Sequence, residues 1–206
     1  MPDSDITGLI CGIDEAGRGP LAGPVCAASV ILPDDFDVSL LNDSKKLSAK
    51  RRELAMREIY LHAIAWGIGW ASPAEIDSIN ILRASLLAMK RAYEVMQEKE
   101  SVSKAAIEVI VDGLFSPDIS AKSCRAVPKA DGRYPAVMAA SILAKTARDR
   151  MMVRYSWLYP EYGYERHKGY PTATHIRALE ENGPSPIQRN SFHLKHESQL
   201  KLFRDC

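Results

Sequence analysis

Short apolar runs broken by glycine, proline and charged residues dominate the N-terminal part of the chain. Leu9 to Asp14 (LICGID) ends in acids and glycines, and Pro24 to Leu32 (PVCAASVIL) is bounded by Gly23 and Pro33; both read as buried strands. The tight, glycine-rich connection GRGPLAG between them predicts an antiparallel hairpin that begins a sheet. From Ser48, SAKRRELAMREIYLHA sets Leu54, Ile59 and Ile64 among basic residues at helical spacing, and Ala65 to Ala71 (AWGIGWA) reads as a third strand. A marked helix start follows, with Ser72 as N-cap, Pro73 at the first helical position and Glu75 completing a capping box. Ile81 to Lys99 continues with Leu82, Leu86, Leu87, Met89, Ala92, Tyr93 and Met96, an amphipathic pattern about five turns long. Ile107 to Val111 predicts a strand ending at Asp112-Gly113, and Lys122 to Val127 a fifth. Pro135 to Tyr155 is alanine-rich and then basic, a helix expected to be buried over its N-terminal half. Beyond it, glycines and prolines punctuate short helices expected at Ala173 to Glu181 and His193 to Phe203, a small cap on the main sheet.

The 206 residues suit one domain, here 1–206 with about 156–206 as the C-terminal helical cap. With 46% hydrophobic and 26% charged residues, disordered, collagenous and disulfide-scaffold classes are excluded. No apolar run reaches the roughly 18 residues of a membrane span, and the acidic start MPDSDITG lacks a signal-peptide core, which predicts a cytoplasmic protein. Cys11, Cys26, Cys124 and Cys206 form no CxxC pair and read as reduced thiols. The net charge of +1 hides an asymmetry: residues 1–120 hold 12 basic and 18 acidic side chains, residues 121–206 hold 15 and 8. Such a chain could set a metal-binding carboxylate cluster beside a surface for a polyanion, although solvated helix faces give similar counts.

Two acidic strand ends carry the main chemical signal. Asp14-Glu15 closes the first strand before Gly17-Arg18-Gly19, and Asp112 closes a later one before Gly113. Carboxylates on adjacent strand ends suit hard divalent cations, which take oxygen ligands and share their shell with phosphate and water; a solvated acidic turn has the same composition. Successive strand residues point to opposite faces, so Asp14 and Glu15 cannot both reach one site from a regular strand unless it bends or Glu15 offers its backbone carbonyl. Asp131, in KADGRYP, is a third candidate; Asp149, in ARDR, reads as an ion-pairing residue, and Asp43 as part of a loop presenting Lys45 and Lys46. The glycines of GRG permit close backbone approach to a ligand, and Arg18 brings a fork of donors. Without a following helix this is not a dinucleotide fingerprint. Among five histidines only His193 and His196 are spaced as a pair, without a third ligand, and no serine or cysteine has a nucleophile motif.

Six segments together resemble bacterial ribonuclease HII, the type 2 ribonuclease H: DEAGRGPLAGPV at Asp14 to Val25, NDSKKLS at Asn42 to Ser48, VDG at Val111 to Gly113, AASILAKTARD at Ala139 to Asp149, HKGYPT at His167 to Thr172, and RNSF at Arg189 to Phe192. The resemblance implies an α/β ribonuclease H-like fold, a five-stranded mixed sheet flanked by helices with a small helical C-terminal region. It also implies Asp14, Glu15, Asp112 and Asp131 as the carboxylates that hold Mg²⁺ or Mn²⁺, and Gly17, Arg18 and Gly19 as readers of a ribose 2′-hydroxyl. Tyr170 would stack on the sugar of the next deoxynucleotide, and Lys45, Lys46, Ser141 and Lys145 would follow the phosphates. The family's usual KGD is Lys129-Ala130-Asp131 here, and alanine restricts the backbone at 130 more than glycine does. The related ribonuclease HIII carries an extra N-terminal substrate-binding domain; with eight residues before the first predicted strand, ribonuclease HII is the expected relative.

The residues themselves fit a two-metal, in-line displacement on a phosphodiester, with no covalent nucleophile. The expected substrates are RNA/DNA hybrids and single ribonucleotides in duplex DNA, cut on the 5′ side, with a monomeric enzyme and a replication clamp as a possible partner. The rival readings are a related nuclease acting on plain DNA and a catalytically silent nucleic-acid-binding protein. The basic charges Lys145, Arg148 and Lys168 are expected to approach backbone phosphates.

Overall fold

The computed structural model of the chain describes residues 9–41, 47–98 and 107–192. Its centre is a sheet of β1 (Leu9–Ala16), β2 (Val25–Ile31), β3 (Ala65–Ala71), β4 (Ile107–Asp112) and β5 (Ser123–Val127), in the order β3-β2-β1-β4-β5. The hairpin β1-β2 and the pair β2-β3 are antiparallel, whereas β1-β4 and β4-β5 are parallel, so the sheet is mixed. All seven residues of β2 are buried, as a run apolar at every position but Ser29 requires of a strand covered on both faces.

Helices α1 (Ala49–His62) and α3 (Pro135–Leu158) cover one face of this sheet, and α2 (Pro73–Gln97) covers the other. Glycines set how closely they lie. A Cβ on Gly12 of β1 would sit 2.2 Å from the backbone of Ala136 in α3, and one on Gly67 or Gly69 of β3 would sit 2.2 Å from backbone oxygens of α2. Each helix therefore rests directly on a strand. The capping box at Ser72 and Glu75 forms as expected. Helix α2 then breaks at Asn80 (φ 68°, ψ 165°), whose Oδ1 accepts from the Arg83 N–H at 3.1 Å and caps the longer second part. This break explains why the amphipathic pattern begins only at Ile81.

One sequence expectation is corrected here. The face α1 buries is Ala55, Met56 and Ile59, while Leu54 and Ile64 are 49% and 37% exposed. Ile64 lies past the helix, where its N–H bonds to the Ile31 carbonyl and leads the chain into β3.

After α3 the chain forms two short helices, α4 (Tyr164–His167) and α5 (Ala173–Asn182), and returns toward the β1-β2 connection. Backbone bonds from Leu21 N to Gly169 O (2.8 Å) and from Arg189 N to Leu21 O (2.9 Å) stitch this return to the hairpin turn. The expected helix at His193 to Phe203 falls outside the described residues.

Candidate metal centre and substrate cleft

Parallel pairing of β1 with β4 places the acids. The register that sets Ile13 beside Val111 brings Asp14 level with Asp112 at the next step, at the carboxyl ends of the two central strands. Alternation does the rest: Gly12 and Ile110 face α3, so Asp14 and Asp112 point to that side too. Asp131 arrives from a 3₁₀ turn, Ala130–Gly132, tied down by the Ala130 N–H, which donates to Asp112 Oδ1 at 2.8 Å. Ligand oxygens of Asp14, Asp112 and Asp131 lie within 4.8 Å of one another.

The alanine of KAD is no obstacle to this arrangement. It is Lys129, not Ala130, that takes the left-handed backbone (φ 58°), so the turn needs no glycine at 130.

Glu15 does not join the three aspartates. Its side chain starts on the opposite face of β1, and its Oε1 accepts from Arg18 Nη1 at 3.2 Å. It still borders the same cleft, so the strand-alternation conflict resolves as a carboxylate beside the cluster rather than within it. Asp14 is 6% exposed; burial, with Glu15 and Asp112 close by, holds its carboxyl well above the usual range, against hydrogen bonds from Ser141 and the Glu15 N–H. Burial also raises Glu15, and Arg18 opposes that shift. Three carboxylate ligands, one buried and two half-buried, fit a hard divalent cation, which would relieve the repulsion among them and the desolvation of Asp14.

The acids open onto a cleft of about 710 Å³. The same cleft is lined by Arg18, Arg52, Lys145, Arg166 and Lys168, so the acidic and basic halves of the chain meet here. Ser141 and Lys145 line the cleft from α3, and Lys145 Nζ pairs with Asp149 at 2.8 Å. Asp149 is an ion-pairing residue as expected, but its partners are Lys145 and Arg52 rather than neighbouring arginines. Lys45, Lys46 and Asp43 lie outside the described residues.

Gly17, Arg18 and Gly19 form one rim of the cleft, and buried arginines hold them there. Arg189, fully buried, donates from Nη2 to the Gly17 carbonyl (2.6 Å), from Nη1 to that of Arg18 (3.0 Å) and from Nε to that of Gly23 (2.8 Å). Because C=O and N–H point oppositely across a trans peptide, anchoring those carbonyls turns the N–H groups of Arg18 and Gly19 the other way. Gly17 (φ 100°) lies against Arg148, where a Cβ would come 2.0 Å from Nε. Arg148 is therefore not a phosphate contact, contrary to the sequence expectation. It is 1% exposed and donates to the carbonyls of Pro24 (2.9 Å), Ala22 (3.1 Å) and Lys168 (3.0 Å).

Tyr170 faces the glycine rim, its Cε1 3.7 Å from where a Gly19 Cβ would sit, with Lys145 Nζ 6.0 Å from the ring centroid. Two left-handed residues, Lys168 and Gly169, turn the chain to deliver it. A Cβ on Gly169 would meet the Ala22 carbonyl at 2.5 Å, which only glycine tolerates. The stacked rings of His167 and His175, 4.4 Å apart, brace this turn, with His175 Nδ1 bonded to the Tyr170 carbonyl at 3.0 Å. Burial pushes both imidazoles below their ordinary range, so they serve as neutral supports. Arg52, Arg166 and Arg189 were not singled out by sequence reasoning; for Arg189 the only signal is its place in the RNSF segment.

The ribonuclease HII family model matches residues 11–196. Ribonuclease HII of Treponema denticola is 58% identical, covering 91% of this chain and 100% of that protein. The Dechloromonas aromatica ribonuclease HII is 51% identical, covering 93% and 95%. Among solved structures, the PCNA:RNase HII complex from Archaeoglobus fulgidus matches with a TM-score of 0.69 at 28% identity, over 91% of this chain and 96% of that one. With the mixed sheet, the aspartate cluster and this agreement along nearly the whole length in hand, the chain belongs to the ribonuclease HII family and is a ribonuclease H.

Proposed function

We propose that the protein hydrolyses the phosphodiester on the 5′ side of a ribonucleotide, in RNA/DNA hybrids and at single ribonucleotides embedded in duplex DNA, leaving 3′-hydroxyl and 5′-phosphate ends. The observation that carries this reading is that one cleft joins the Asp14, Asp112 and Asp131 cluster to the Gly17–Gly19 rim and the Tyr170 ring. The acids supply the chemistry and the rim supplies the choice of sugar.

Asp14, Asp112 and Asp131 would hold Mg²⁺ or Mn²⁺, and Glu15 would complete the set by exchanging its Arg18 partner or through its main-chain carbonyl. Two bound divalent ions supply an activated water and stabilise the leaving 3′-oxygen. The remaining work belongs to the chain's own groups. Ser141 keeps Asp14 oriented, and Lys145, released from Asp149, meets a phosphate; the family resemblance assigns phosphate contacts to Lys45 and Lys46 as well. The N–H groups of Arg18 and Gly19 address the 2′-hydroxyl, the group that separates RNA from DNA. Tyr170 packs on the following sugar, which favours a deoxyribose because an extra hydroxyl would crowd the ring.

The Archaeoglobus relative's complex with PCNA supports a replication clamp as partner of this chain as well. We assign the protein to the cytoplasm as a monomer; among its described residues no helix is long and apolar enough to cross a membrane. The test is cleavage of duplex DNA carrying one ribonucleotide, beside all-DNA and RNA/DNA controls, with and without Mg²⁺. Metal-dependent cutting 5′ of the ribonucleotide, with none on plain DNA, is expected. A cut 3′ of it, or equal cutting of the all-DNA duplex, defeats the assignment.

A further inference from the structure

A second hollow, of about 500 Å³, adjoins the carboxylate cleft and shares Arg52, Asp149 and Lys168 with it. Its floor is one face of α3, where Thr146, Arg150, Val153, Arg154 and Trp157 recur at spacings of three and four. Ser141, Lys145 and Asp149 line the metal cleft from an adjoining face of α3, and the i, i+4 ridge they begin runs on through Val153 to Trp157, winding about 160° around the helix axis at 3.6 residues per turn. The ridge thus leads from the aspartates around the helix into the hollow. Arg52, Arg150, Arg154 and Lys168 bring four positive charges to this hollow, against two negative ones from Glu53 and Asp149. Arg150 pairs with Glu53 across α1 and α3, which holds its guanidinium at the lip of the hollow. Trp157, at the far end, is 75% exposed. A tryptophan so placed fills no core, and its flat ring beside arginines is a surface suited to a sugar-phosphate chain.

We infer that this face of α3 is a backbone track for one arm of the duplex, beyond the bond that is cut. The strand leaves the aspartates past Lys145, lays its phosphates along Arg150 and Arg154, and ends with a sugar against the Trp157 indole, whose N–H reaches a phosphate oxygen. Ser141 and Trp157 are sixteen residues apart on one helix, about 24 Å at 1.5 Å per residue. At about 3.4 Å per base pair, the track spans about seven base pairs. The inference deepens the proposed cleavage reading and rests on it for the direction of the strand.

Its test shortens each arm of a duplex with one ribonucleotide, in turn, from about 12 to about 5 base pairs, either side of the reach set by helix rise and duplex spacing. Cleavage is followed for the wild type, Arg154→Ala and Trp157→Ala, with binding of the same duplexes read by fluorescence anisotropy. Shortening one arm should raise the wild-type KM about five- to tenfold, a change of about 1 to 1.4 kcal/mol, with kcat kept. Each variant should raise KM on the full duplex by a similar factor, add nothing once that arm is short, and keep its effect when the other arm is shortened. Arg154→Ala should also flatten the salt dependence by about 0.9 in log–log slope, the loss of one phosphate contact. Wild-type cleavage with KM independent of both arms overturns the track alone, as do variant penalties that persist on both shortened duplexes. Arm-dependent binding without cleavage at the ribonucleotide would overturn the cleavage reading and keep the track.

Discussion

Asp14 shows most directly how a side chain's stability and its function pull apart. Its carboxyl is held above the ordinary range by burial and by its acidic neighbours, so the native state keeps a proton that the unfolded chain releases. Stability therefore falls as pH rises from the usual carboxylate range, about 4, through the raised value. Asp14→Asn should remove that loss. In metal-free buffer near neutral pH, its Tm should equal or exceed that of the wild type, the two converging as pH approaches about 4, while cleavage disappears at saturating Mg²⁺. A variant with wild-type turnover, or one that melts earlier at neutral pH, would remove Asp14 from the metal site. Tyr170 makes a narrower prediction. If its ring packs on a deoxyribose, Tyr170→Ala should lose about tenfold more activity at an RNA-to-DNA junction than on a continuous hybrid, a difference of about 1.4 kcal/mol. Equal losses, measured side by side on gels, would leave the ring no role in reading the junction.

Helix α2 packs its backbone onto the glycines of β3, and its break at Asn80 allows the capped first turns and the long second part to take different directions. Asn80 occupies a backbone region costly to most side chains and also caps the second part of the helix, so Asn80→Ala should cost about 1–3 kcal/mol, while Asn80→Gly should cost far less. Urea melts of the two variants would separate the roles: equal losses would mean the cap matters and the dihedral does not. At this scale the sequence was largely readable. Four of the strands announced themselves because each is a short, mostly apolar run with hard punctuation, and the Ser72 start because capping is a local code; β5 (SCRAV), half-exposed at the sheet edge, gave only a weak alternation. The face of α1 was not readable, since Leu54 and Met56 are equally apolar and only the packed sheet decides which is covered. Arg148 was misread for the same reason. A charge on a helix looks solvated until the carbonyls of residues 22, 24 and 168, distant in sequence, are folded over it. The aspartates were legible as candidates, and alternation along β1 already set Glu15 apart from Asp14, but the meeting of Asp14 with Asp112 depends on a register that no single strand contains.

Across the whole molecule, the carboxylate cluster and the rim proposed to read the substrate are assembled by different means. The aspartates sit on two hydrogen-bonded central strands and a neighbouring turn, whereas the Gly17–Gly19 rim depends on Arg189, 172 residues from Gly17. Arg189→Lys keeps a charge but loses the fork that reaches three carbonyls at once. It should lower Tm by several degrees, since a hydrogen bond to a charged group is worth about 1.5–3 kcal/mol, and weaken the preference for ribonucleotide over deoxynucleotide. An unchanged Tm together with an unchanged preference would show that the rim stands without it. Synthesis runs from the N-terminus, so a ribosome has already delivered the strands, the aspartates and most of the basic side chains before Arg189 emerges. On the proposed reading of the rim, the carboxylates are therefore made well before the side chain that fixes the 2′-hydroxyl-reading loop in place, so order of synthesis separates the parts for cutting from the part for choosing.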